Sequence, residues 1–221
     1  AFPPAHCLMA STSSVYGANT AMPFTETQKT DTPMSFYAAT KKANEAMAHS
    51  YAHLYGLPVT MFRFFTVYGP WGRPDMAPFK FTKAILEDRP IDIYNHGDMT
   101  RDFTYVTDLA DSIVRLIEAV PMRPAAAADV PVGDSLSTVA PFRVVNIGNS
   151  KSVRLIDFIA AIETATGRLA IRNYLDMQPG DVPATWADAS LLHRLTGDRP
   201  QTSVQNGVAL FVQWYRDYFG V

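Results

Sequence analysis

Short apolar runs and longer stretches of helical composition alternate along this chain. Residues 7–10 and 59–65 are apolar, β-branched or aromatic runs, and they predict two strands. Residues 37–55 are rich in Ala, Lys, Glu and Met and are followed by Gly56 and Pro58, which predicts a helix between the strands. A strand, a helix and a strand in this order indicate a βαβ unit with parallel strands and a right-handed crossover.

The rest of the chain continues this alternation. The pattern predicts helices over residues 78–87, 108–120, 152–166, 189–196 and 204–218, and extended segments over residues 91–94, 101–106, 144–148 and 169–174. Asp108 is the expected cap of the helix over residues 108–120. Segments 18–35, 66–74 and 121–141 carry the Pro and Gly signals of loops. This order of elements is typical of an α/β fold.

The composition is that of a globular protein and argues against several other classes. The 221 residues are enough for a sizeable core in one or two domains, with 48% hydrophobic and 18% charged residues. A formal net charge of −2 gives no broad basic surface for nucleic acid, and no apolar run approaches the ~20 residues of a membrane span. Cys7 is the single cysteine, which excludes an internal disulfide and favours a reducing, cytoplasmic compartment.

A tyrosine and a lysine on the first predicted helix are candidates for proton transfer. Tyr37 and Lys41 are four residues apart and share a helix face. An ammonium group beside a phenol lowers the pKa of the tyrosine from about 10 towards working pH, which makes it a general base for an alcohol. Upstream, Ser11-Thr12-Ser13-Ser14, called the hydroxyl run below, can hydrogen-bond the same alcohol. Together these groups suit removal of a proton from a carbinol while a hydride leaves its carbon, although the Tyr–Lys pair alone is ordinary helix spacing.

The chain combines the hydroxyl run, the Val15-Tyr16-Gly17 that follows it and the Tyr–Lys pair. These features resemble the active site of the extended short-chain dehydrogenase/reductases, the NAD-dependent nucleotide-sugar epimerases and dehydratases. A similarity to the UDP-glucuronate 4-epimerase branch extends over residues 63–77, 101–106 and 178–181 and over the last helix with Trp214-Tyr215. The resemblance covers nearly the whole chain. It implies the C-terminal part of a Rossmann-type parallel sheet with an interleaved smaller α/β nucleotide-sugar-binding domain.

The resemblance also implies a division of the chain. Residues 1–67 would be the second half of the NAD-binding domain with the catalytic helix, 68–106 a substrate-binding segment, 107–148 a return to the Rossmann domain, and 149–221 the substrate-binding domain. The chain has no Gly-x-x-Gly-x-x-Gly motif after a first strand and begins at Ala1 without a signal peptide. We therefore expect a chain that starts within a domain, lacks the adenosine half of the cofactor site and is inactive in isolation.

The family pattern implies a role for each matching residue. Thr12 would hydrogen-bond the reacting hydroxyl, Tyr37 would be the base, and Lys41 would bind the nicotinamide ribose. The nicotinamide would be bordered by Phe64 and Val67. On the substrate side, the sugar carboxylate would meet Ser13, Ser14 and Thr66, carboxylate or diphosphate would meet Arg73 and Arg101, uracil would meet Ile93 and Tyr94, and the uridine ribose would meet Asp181.

Taken together, the resemblance implies NAD-dependent conversion of UDP-glucuronate to UDP-galacturonate through a 4-keto intermediate. It also implies a homodimer with a four-helix interface that includes residues 37–55. Decarboxylation stays open, because a 4-keto uronate is a β-keto acid. A dehydratase is disfavoured, since Ser13 and Ser14 stand where dehydratases carry acidic residues. A non-catalytic nucleotide-binding protein and an inactive fragment are the remaining alternatives.

Several candidate residues have plainer interpretations. Arg101 and Asp102 could form a surface ion pair, Phe64 and Tyr94 could be packing residues, and Asp181 could stabilise a turn. A histidine pair, His49 and His53, has a metal-binding spacing, but no third ligand is evident, so we expect no metal site.

Overall fold

The computed structural model describes residues 2–221 and shows the predicted alternation of helices and strands. The helices in this range are α1 (Phe36–Tyr55), α2 (Ala77–Leu86), α3 (Val106–Leu116), α4 (Leu155–Thr166), α5 (Ser190–Thr196) and α6 (Val204–Phe219). The strands are β1 (Cys7–Ala10), β2 (Val59–Phe64), β3 (Thr66–Tyr68), β4 (Pro90–Ile93), β5 (Thr100–Arg101), β6 (Phe103–Tyr105), β7 (Phe142–Ile147), β8 (Val153–Arg154), β9 (Ile171–Tyr174) and β10 (Ala184–Thr185). Short 3-10 helices cover Ser13–Tyr16, Tyr94–Gly97 and Ala127–Asp129.

A parallel sheet in the order β1-β2-β7 joins two strands from the start of the chain to a third strand, β7, from its second half. β1 pairs in parallel with β2 from Cys7 opposite Val59 onward, so the predicted βαβ unit with α1 as its helix is confirmed. β7 pairs in parallel with the other edge of β2. All of β7, and β2 up to Arg63, are buried, as expected for strands covered on both faces.

α1 has clear start and stop signals. Ser35 caps its first turn by accepting a hydrogen bond from the backbone N–H of Ala38 at 3.1 Å, and Gly56 ends the helix in the left-handed conformation with φ of 63°. Its buried face packs small residues, Ala48 and Ala52, against Met61 of β2 and neighbouring apolar groups of the sheet. The opposite face leaves large apolar side chains exposed, among them Phe36, Met47, Tyr51, Leu54 and Tyr55.

A second apolar core forms around α4 and α6, and buried residues of α2, β4 and β6 from the first half of the chain also pack into it. Phe158, Ile159 and Ile162 of α4 pack with Val208 and Val212 of α6 in this core. Small sheets β3-β6, β4-β9 and β10-β5-β8 surround it.

One close contact fixes α6 against the strand that follows β2. A Cβ at Gly207 would lie 2.1 Å from the hydroxyl oxygen and 2.8 Å from Cζ of Tyr68, so no side chain fits there without displacement. Tyr68 is buried, and its hydroxyl has no hydrogen-bond partner among the described residues. Burial raises the pKa of Tyr68 well above its usual range, so this phenol stays protonated.

Three sequence predictions need correction. Residues 66–68, predicted as the start of a loop, form β3 because they pair in parallel with Phe103–Tyr105. Residues 153–154, predicted to be helical, form β8 because they pair antiparallel with β5, and α4 begins only at Leu155. Both pairings depend on partners distant in the sequence, which local patterns do not reveal.

The third correction concerns Asp108, which does not cap its helix. α3 begins at Val106 and ends at Leu116, so Asp108 lies inside the first turn. Its carboxylate accepts hydrogen bonds from the backbone N–H groups of Gln201 and Thr202 at 2.9 and 2.7 Å, and from the Thr202 hydroxyl at 2.7 Å. Asp108 therefore holds the segment that leads into α6.

Within residues 2–221, none of the helices combines the length and apolar character needed to cross a bilayer.

Candidate active site

Thr12 lies two residues beyond the end of β1 and starts the turn formed by the hydroxyl run. Its backbone is extended, and its hydroxyl oxygen caps the 3-10 helix Ser13–Tyr16 by accepting a hydrogen bond from the Ser14 N–H at 3.2 Å. The Thr12 hydroxyl donates to the Ser14 hydroxyl, also at 3.2 Å. These local bonds hold the buried Thr12 side chain at the wall of a large cavity.

Tyr37 and Lys41 project from the first two turns of α1. Tyr37 is 53% exposed and lines the same cavity as Thr12. The ammonium group of Lys41 donates a hydrogen bond to the carbonyl oxygen of Ala10 at 3.3 Å, at the end of β1. α1 therefore places the lysine beside the strand end that leads into Thr12 and aims the tyrosine into the cavity.

This cavity has a volume of about 1300 Å³. It exceeds the ~300–1,000 Å³ of common ligand pockets, so it has room for one large ligand or two adjacent ones. Lys41, Ile93 and Tyr94 are the predicted site residues that do not line it. The predicted residues that do are Thr12, Ser13, Ser14, Tyr37, Phe64, Thr66, Val67, Arg73, Arg101 and Asp181.

Arg101 and Asp181 form one wall of this cavity. A guanidinium N–H of Arg101 donates to the Asp181 carboxylate at 2.8 Å, and further N–H groups reach the carbonyl oxygens of Thr100 and Pro183 at 2.9 and 3.2 Å. Burial lowers the pKa of Arg101 while Asp181 opposes the shift, and the guanidinium stays charged. The wall therefore offers a fixed positive group that is partly neutralised by its neighbour.

The alternative of a surface ion pair between Arg101 and Asp102 is wrong. Asp102 is fully buried, and its carboxylate accepts hydrogen bonds from the backbone N–H groups of Asn149, Ser150 and Ala187 at 2.7, 2.9 and 3.1 Å. The Thr104 hydroxyl adds a fourth at 3.2 Å. Burial raises the pKa of Asp102 against these bonds, which lower it. Asp102 therefore joins segments that are distant in sequence behind the wall formed by Arg101.

Arg73 is exposed and already paired. Its Nε donates to the Asp75 carboxylate at 3.0 Å, and a second N–H binds the other carboxylate oxygen. This pairing raises the pKa of Arg73 and lowers the pKa of Asp75. An anionic ligand would have to compete with Asp75 for the guanidinium.

A second cavity of about 690 Å³ adjoins the first and shares Thr66, Arg101 and Asp181 with it. Tyr94 lines this second cavity. Its lining carries charges of both signs: four cationic side chains, Lys80, Lys83, Arg89 and Arg101, and three carboxylates, Asp75, Asp92 and Asp181. The Ile93 side chain, by contrast, is fully buried in the core around α4 and α6, so the expected side-chain contact with a bound base is not available in this structure.

A buried bidentate ion pair, which was not among the predicted site residues, joins Arg63 and Glu45. Arg63 Nε and Nη2 each donate to the Glu45 carboxylate at 2.9 Å, and the side chains are 3% and 4% exposed. A charged residue in the apolar strand β2 was a usable signal, because buried arginines need a partner. The position of Glu45, four residues after Lys41 on the same helix, was a second signal.

Glu26 is a further buried acid near this pair. Its carboxylate accepts a hydrogen bond from the backbone N–H of Asn146 at 2.9 Å, while Arg63 binds only its carbonyl oxygen, at 3.4 Å. Burial raises the pKa of Glu26 to about 7, and the charge of Asp188 adds to the rise. This carboxyl therefore changes its charge near neutral pH.

The two histidines with metal-binding spacing instead bind the loop over residues 121–141. His49 Nε2 lies 2.8 Å from the Ser137 hydroxyl oxygen, and His53 Nδ1 lies 2.8 Å from the Val139 carbonyl oxygen. Over residues 2–221 no group of three His, Cys, Asp or Glu side chains is arranged to hold a metal ion.

Comparisons with solved structures agree with this architecture. The chain superposes on UDP-glucuronic acid 4-epimerase from Bacillus cereus in complex with UDP-glucuronic acid and NAD, with a TM-score of 0.82 and 31% identity, over 97% of this chain and 62% of the other. MoeE5 in complex with UDP-glucuronic acid and NAD gives a TM-score of 0.80 and 30% identity, over 96% of this chain and 65% of the other. The expected Rossmann-type α/β fold is thereby confirmed.

Sequence relatives point to the same group. A probable UDP-glucuronate 4-epimerase of Rhizobium meliloti is 58% identical over 97% of this chain and 63% of the relative. Protein CapI of Staphylococcus aureus is 55% identical over 96% of this chain and 63% of the relative. The chain thus spans a little under two thirds of the length of these relatives. The model of the NAD dependent epimerase/dehydratase family matches residues 2–127. More than half of the chain fits that model, and the chain therefore belongs to the NAD dependent epimerase/dehydratase family.

Proposed function

We propose that this protein acts as an NAD-dependent UDP-glucuronate 4-epimerase, which interconverts UDP-glucuronate and UDP-galacturonate. The observation that carries the proposal is the shared cavity, into which the Thr12 hydroxyl run, Tyr37 and Arg101 all project. The names of relatives similar over nearly the whole chain support the same reaction.

Residues of this chain fit the nicotinamide end of NAD. Phe64 and Val67 line the cavity beside Tyr37, and Lys41 donates from α1 to the adjacent end of β1. A glycine-rich pyrophosphate loop does not occur in the 221 residues, so the fit concerns this end alone. Bound there, NAD would supply uptake and return of a hydride at C4 of the sugar.

The chain's own residues would manage the proton and the orientation of the sugar. Tyr37 Oη would accept the proton of the 4-hydroxyl as the C4–H bond breaks, and would return it to the oxygen once that bond has re-formed on the opposite face. The Thr12 hydroxyl would hydrogen-bond the same oxygen in the alcohol and in the 4-keto sugar. Proton and electron pair are both restored, so substrate and product are isomers.

The remaining cavity residues would hold the nucleotide sugar. Arg101 suits a diphosphate or carboxylate, because its guanidinium presents several N–H donors in a fixed plane. Neutral hydrogen-bond donors on the sugar side would come from Ser13, Ser14 and Thr66. The nucleoside would contact Tyr94 and Asp181. Arg73 would bind an anion in place of its present partner Asp75. Ile93 would contact the base through its backbone.

We further propose that segments 1–67 and 107–148 form the Rossmann NAD-binding part with the catalytic helix, and that segments 68–106 and 149–221 form the substrate-binding part. The exposed apolar face of α1 supports a homodimer with a four-helix interface, since Phe36, Leu54 and Tyr55 are each at least 70% exposed. Light scattering of the wild type and of Leu54→Lys tests the dimer, and a wild-type monomer would contradict it. Separately, a cytoplasmic location would suit the single cysteine.

The decisive experiment is incubation of the complete gene product with UDP-glucuronate and NAD, followed by chromatographic separation of the products. We expect UDP-galacturonate. An unchanged substrate would overturn the proposal, and a UDP-pentose would show that the protein is a decarboxylase. Residues 1–221 assayed alone are expected to be inactive, since they hold one end of the cofactor.

A further inference from the structure

The face of α1 that carries Tyr37 and Lys41 continues one turn further to Glu45, because residues four apart share a helix face. Lys41 donates to the Ala10 carbonyl oxygen at 3.3 Å, and Glu45 accepts a hydrogen bond from the Ser11 hydroxyl at 2.7 Å. Two successive turns of the helix therefore bind two successive residues where β1 passes into the hydroxyl run.

Arg63 fixes the carboxylate that makes the second of these contacts. Its two bonds to Glu45, each of 2.9 Å, are bidentate and set the plane of the carboxylate. Burial raises the pKa of Glu45, but the hydrogen bonds and charge of Arg63 outweigh it, so the pKa lies below its usual value. The ionised carboxylate is thus an acceptor, with Ser11 as its donor.

Arg63 also contacts the far end of the same turn. Its guanidinium carbon lies 4.8 Å from the centroid of the Tyr16 ring, and the Tyr16 hydroxyl donates to Asn146 Oδ1 at 2.7 Å. Arg63 therefore supports the segment 11–16 at its start, through Glu45 and Ser11, and at its end, through the face of Tyr16.

We propose that Glu45 is a positioning residue for the epimerisation: held by Arg63, it fixes the hydroxyl run against α1 and so sets Thr12 relative to Tyr37. Glu45 is buried and lines neither cavity, so it acts through Ser11 rather than by touching the substrate. The reaction it serves rests on the proposed function. The fixed distance between the hydroxyl run and α1 is a property of this chain, and it can be tested separately from the reaction.

Two variants of the complete gene product separate positioning from folding. Glu45→Gln keeps the shape of the side chain and removes its charge, whereas Ser11→Ala removes the link and leaves the Arg63–Glu45 pair intact. The matched control is Asp134→Asn. It weakens another buried bidentate pair, in which Arg143 binds Asp134 at 3.0 and 3.2 Å, and neither residue lines a cavity.

The kinetic measurement is the division of the effect between kcat and KM for UDP-glucuronate. We expect kcat to fall about 10–100-fold in Ser11→Ala and Glu45→Gln with KM within about threefold, because misplacement by about 1 Å can cost a factor of about 100. Asp134→Asn is expected to keep kcat even where it lowers Tm. The proposal is overturned by an unchanged kcat in Ser11→Ala, or by an equal loss of kcat in Asp134→Asn.

Backbone hydrogen exchange provides a measurement that needs no turnover. The N–H groups of Ser14 and Val15 are bonded to Thr12 at 3.2 and 3.3 Å and report on the order of the hydroxyl run. We expect faster exchange there in Ser11→Ala and wild-type exchange in Asp134→Asn. Unaltered exchange in Ser11→Ala overturns the positioning role. The wild type could show no turnover while the two variants still differ in exchange as expected. That result would overturn the proposed function and would support the link by which Glu45 holds the hydroxyl run.

Discussion

Arg101 donates a hydrogen bond to Asp181 at 2.8 Å, although 80 residues separate the two in sequence. Both line the two adjoining cavities, and the arginine side chain is 16% exposed against 38% for the aspartate. Asp181 therefore holds the more buried guanidinium of Arg101 in place where the two cavities meet.

Replacement of Arg101 by Ala should therefore weaken substrate binding more than catalysis. A hydrogen bond to a charged group contributes about 1.5–3 kcal/mol, which corresponds to a rise of about 10–100-fold in KM for UDP-glucuronate. Steady-state kinetics would measure it. The control is Arg115→Ala, which removes an exposed pair with Asp198 outside both cavities. Equal KM values for Arg101→Ala and the wild type would contradict the assignment.

Tyr37→Phe should abolish most of the turnover and leave the fold intact. Loss of a general base lowers kcat by about 10²–10⁴-fold, while the half-exposed phenol contributes little to packing. Calorimetric binding of UDP-glucuronate should be retained. Tyr174→Phe removes another exposed phenol, outside both cavities and away from α1, and should keep wild-type kcat. A Tyr37→Phe protein with normal kcat would remove the tyrosine from the mechanism.

Glu26 should make the stability depend on pH near neutrality. Its pKa rises from 4.5 to about 7 on folding, so the folded state holds the proton more tightly than the unfolded state. The contribution to stability is complete below pH 4.5 and is lost as the pH rises through about 7. Over this window the loss is on the order of 2–3 kcal/mol.

The difference in unfolding free energy between Glu26→Gln and the wild type isolates this effect, because contributions from other groups cancel. Urea titrations from pH 5 to pH 8 should show the variant gaining stability relative to the wild type as the pH rises. Glu118→Gln, at an exposed position, is the matched control. A difference for Glu26→Gln that does not change with pH would contradict the raised pKa of Glu26.

Gly207→Ala should destabilise the protein despite the better helix propensity of alanine. The added methyl group would meet the Tyr68 hydroxyl at 2.1 Å. Overpacking of this kind costs about 1–3 kcal/mol, which exceeds the ~1 kcal/mol gained by replacing a helical glycine. Thermal unfolding measures the sign. Asn206→Ala, on the exposed side of the same helix, should be neutral or slightly stabilising, and a stabilised Gly207→Ala would show that Tyr68 moves freely.

Local patterns predicted those helices and strands whose sequence signals lie within the element itself or directly beside it. The βαβ unit around α1 followed from apolar runs, helical composition and the stop at Gly56 and Pro58. The cavity residues came from a resemblance to ordered motifs, and the cavity gathers most of them. Their individual roles remain predictions.

What sequence could not supply depends on contacts between distant segments. β3 exists because Thr66–Tyr68 meets β6, and Asp108 faces residues 201–202 rather than its own helix. Ile93 belongs to a core assembled from α4 and α6. In each case the partner lies far away in the sequence, so a local pattern could not indicate it.

The donors that surround Asp102 also constrain the order in which the protein can be completed during synthesis. Asn149 and Ser150 lie nearly 50 residues downstream, and Ala187 lies 85 residues downstream. A nascent chain released only as far as β6 would carry this carboxylate with the Thr104 hydroxyl as its one native donor. All of these bonds to Asp102, which lies behind the wall that presents Arg101, can therefore form together only after Ala187 has left the ribosome.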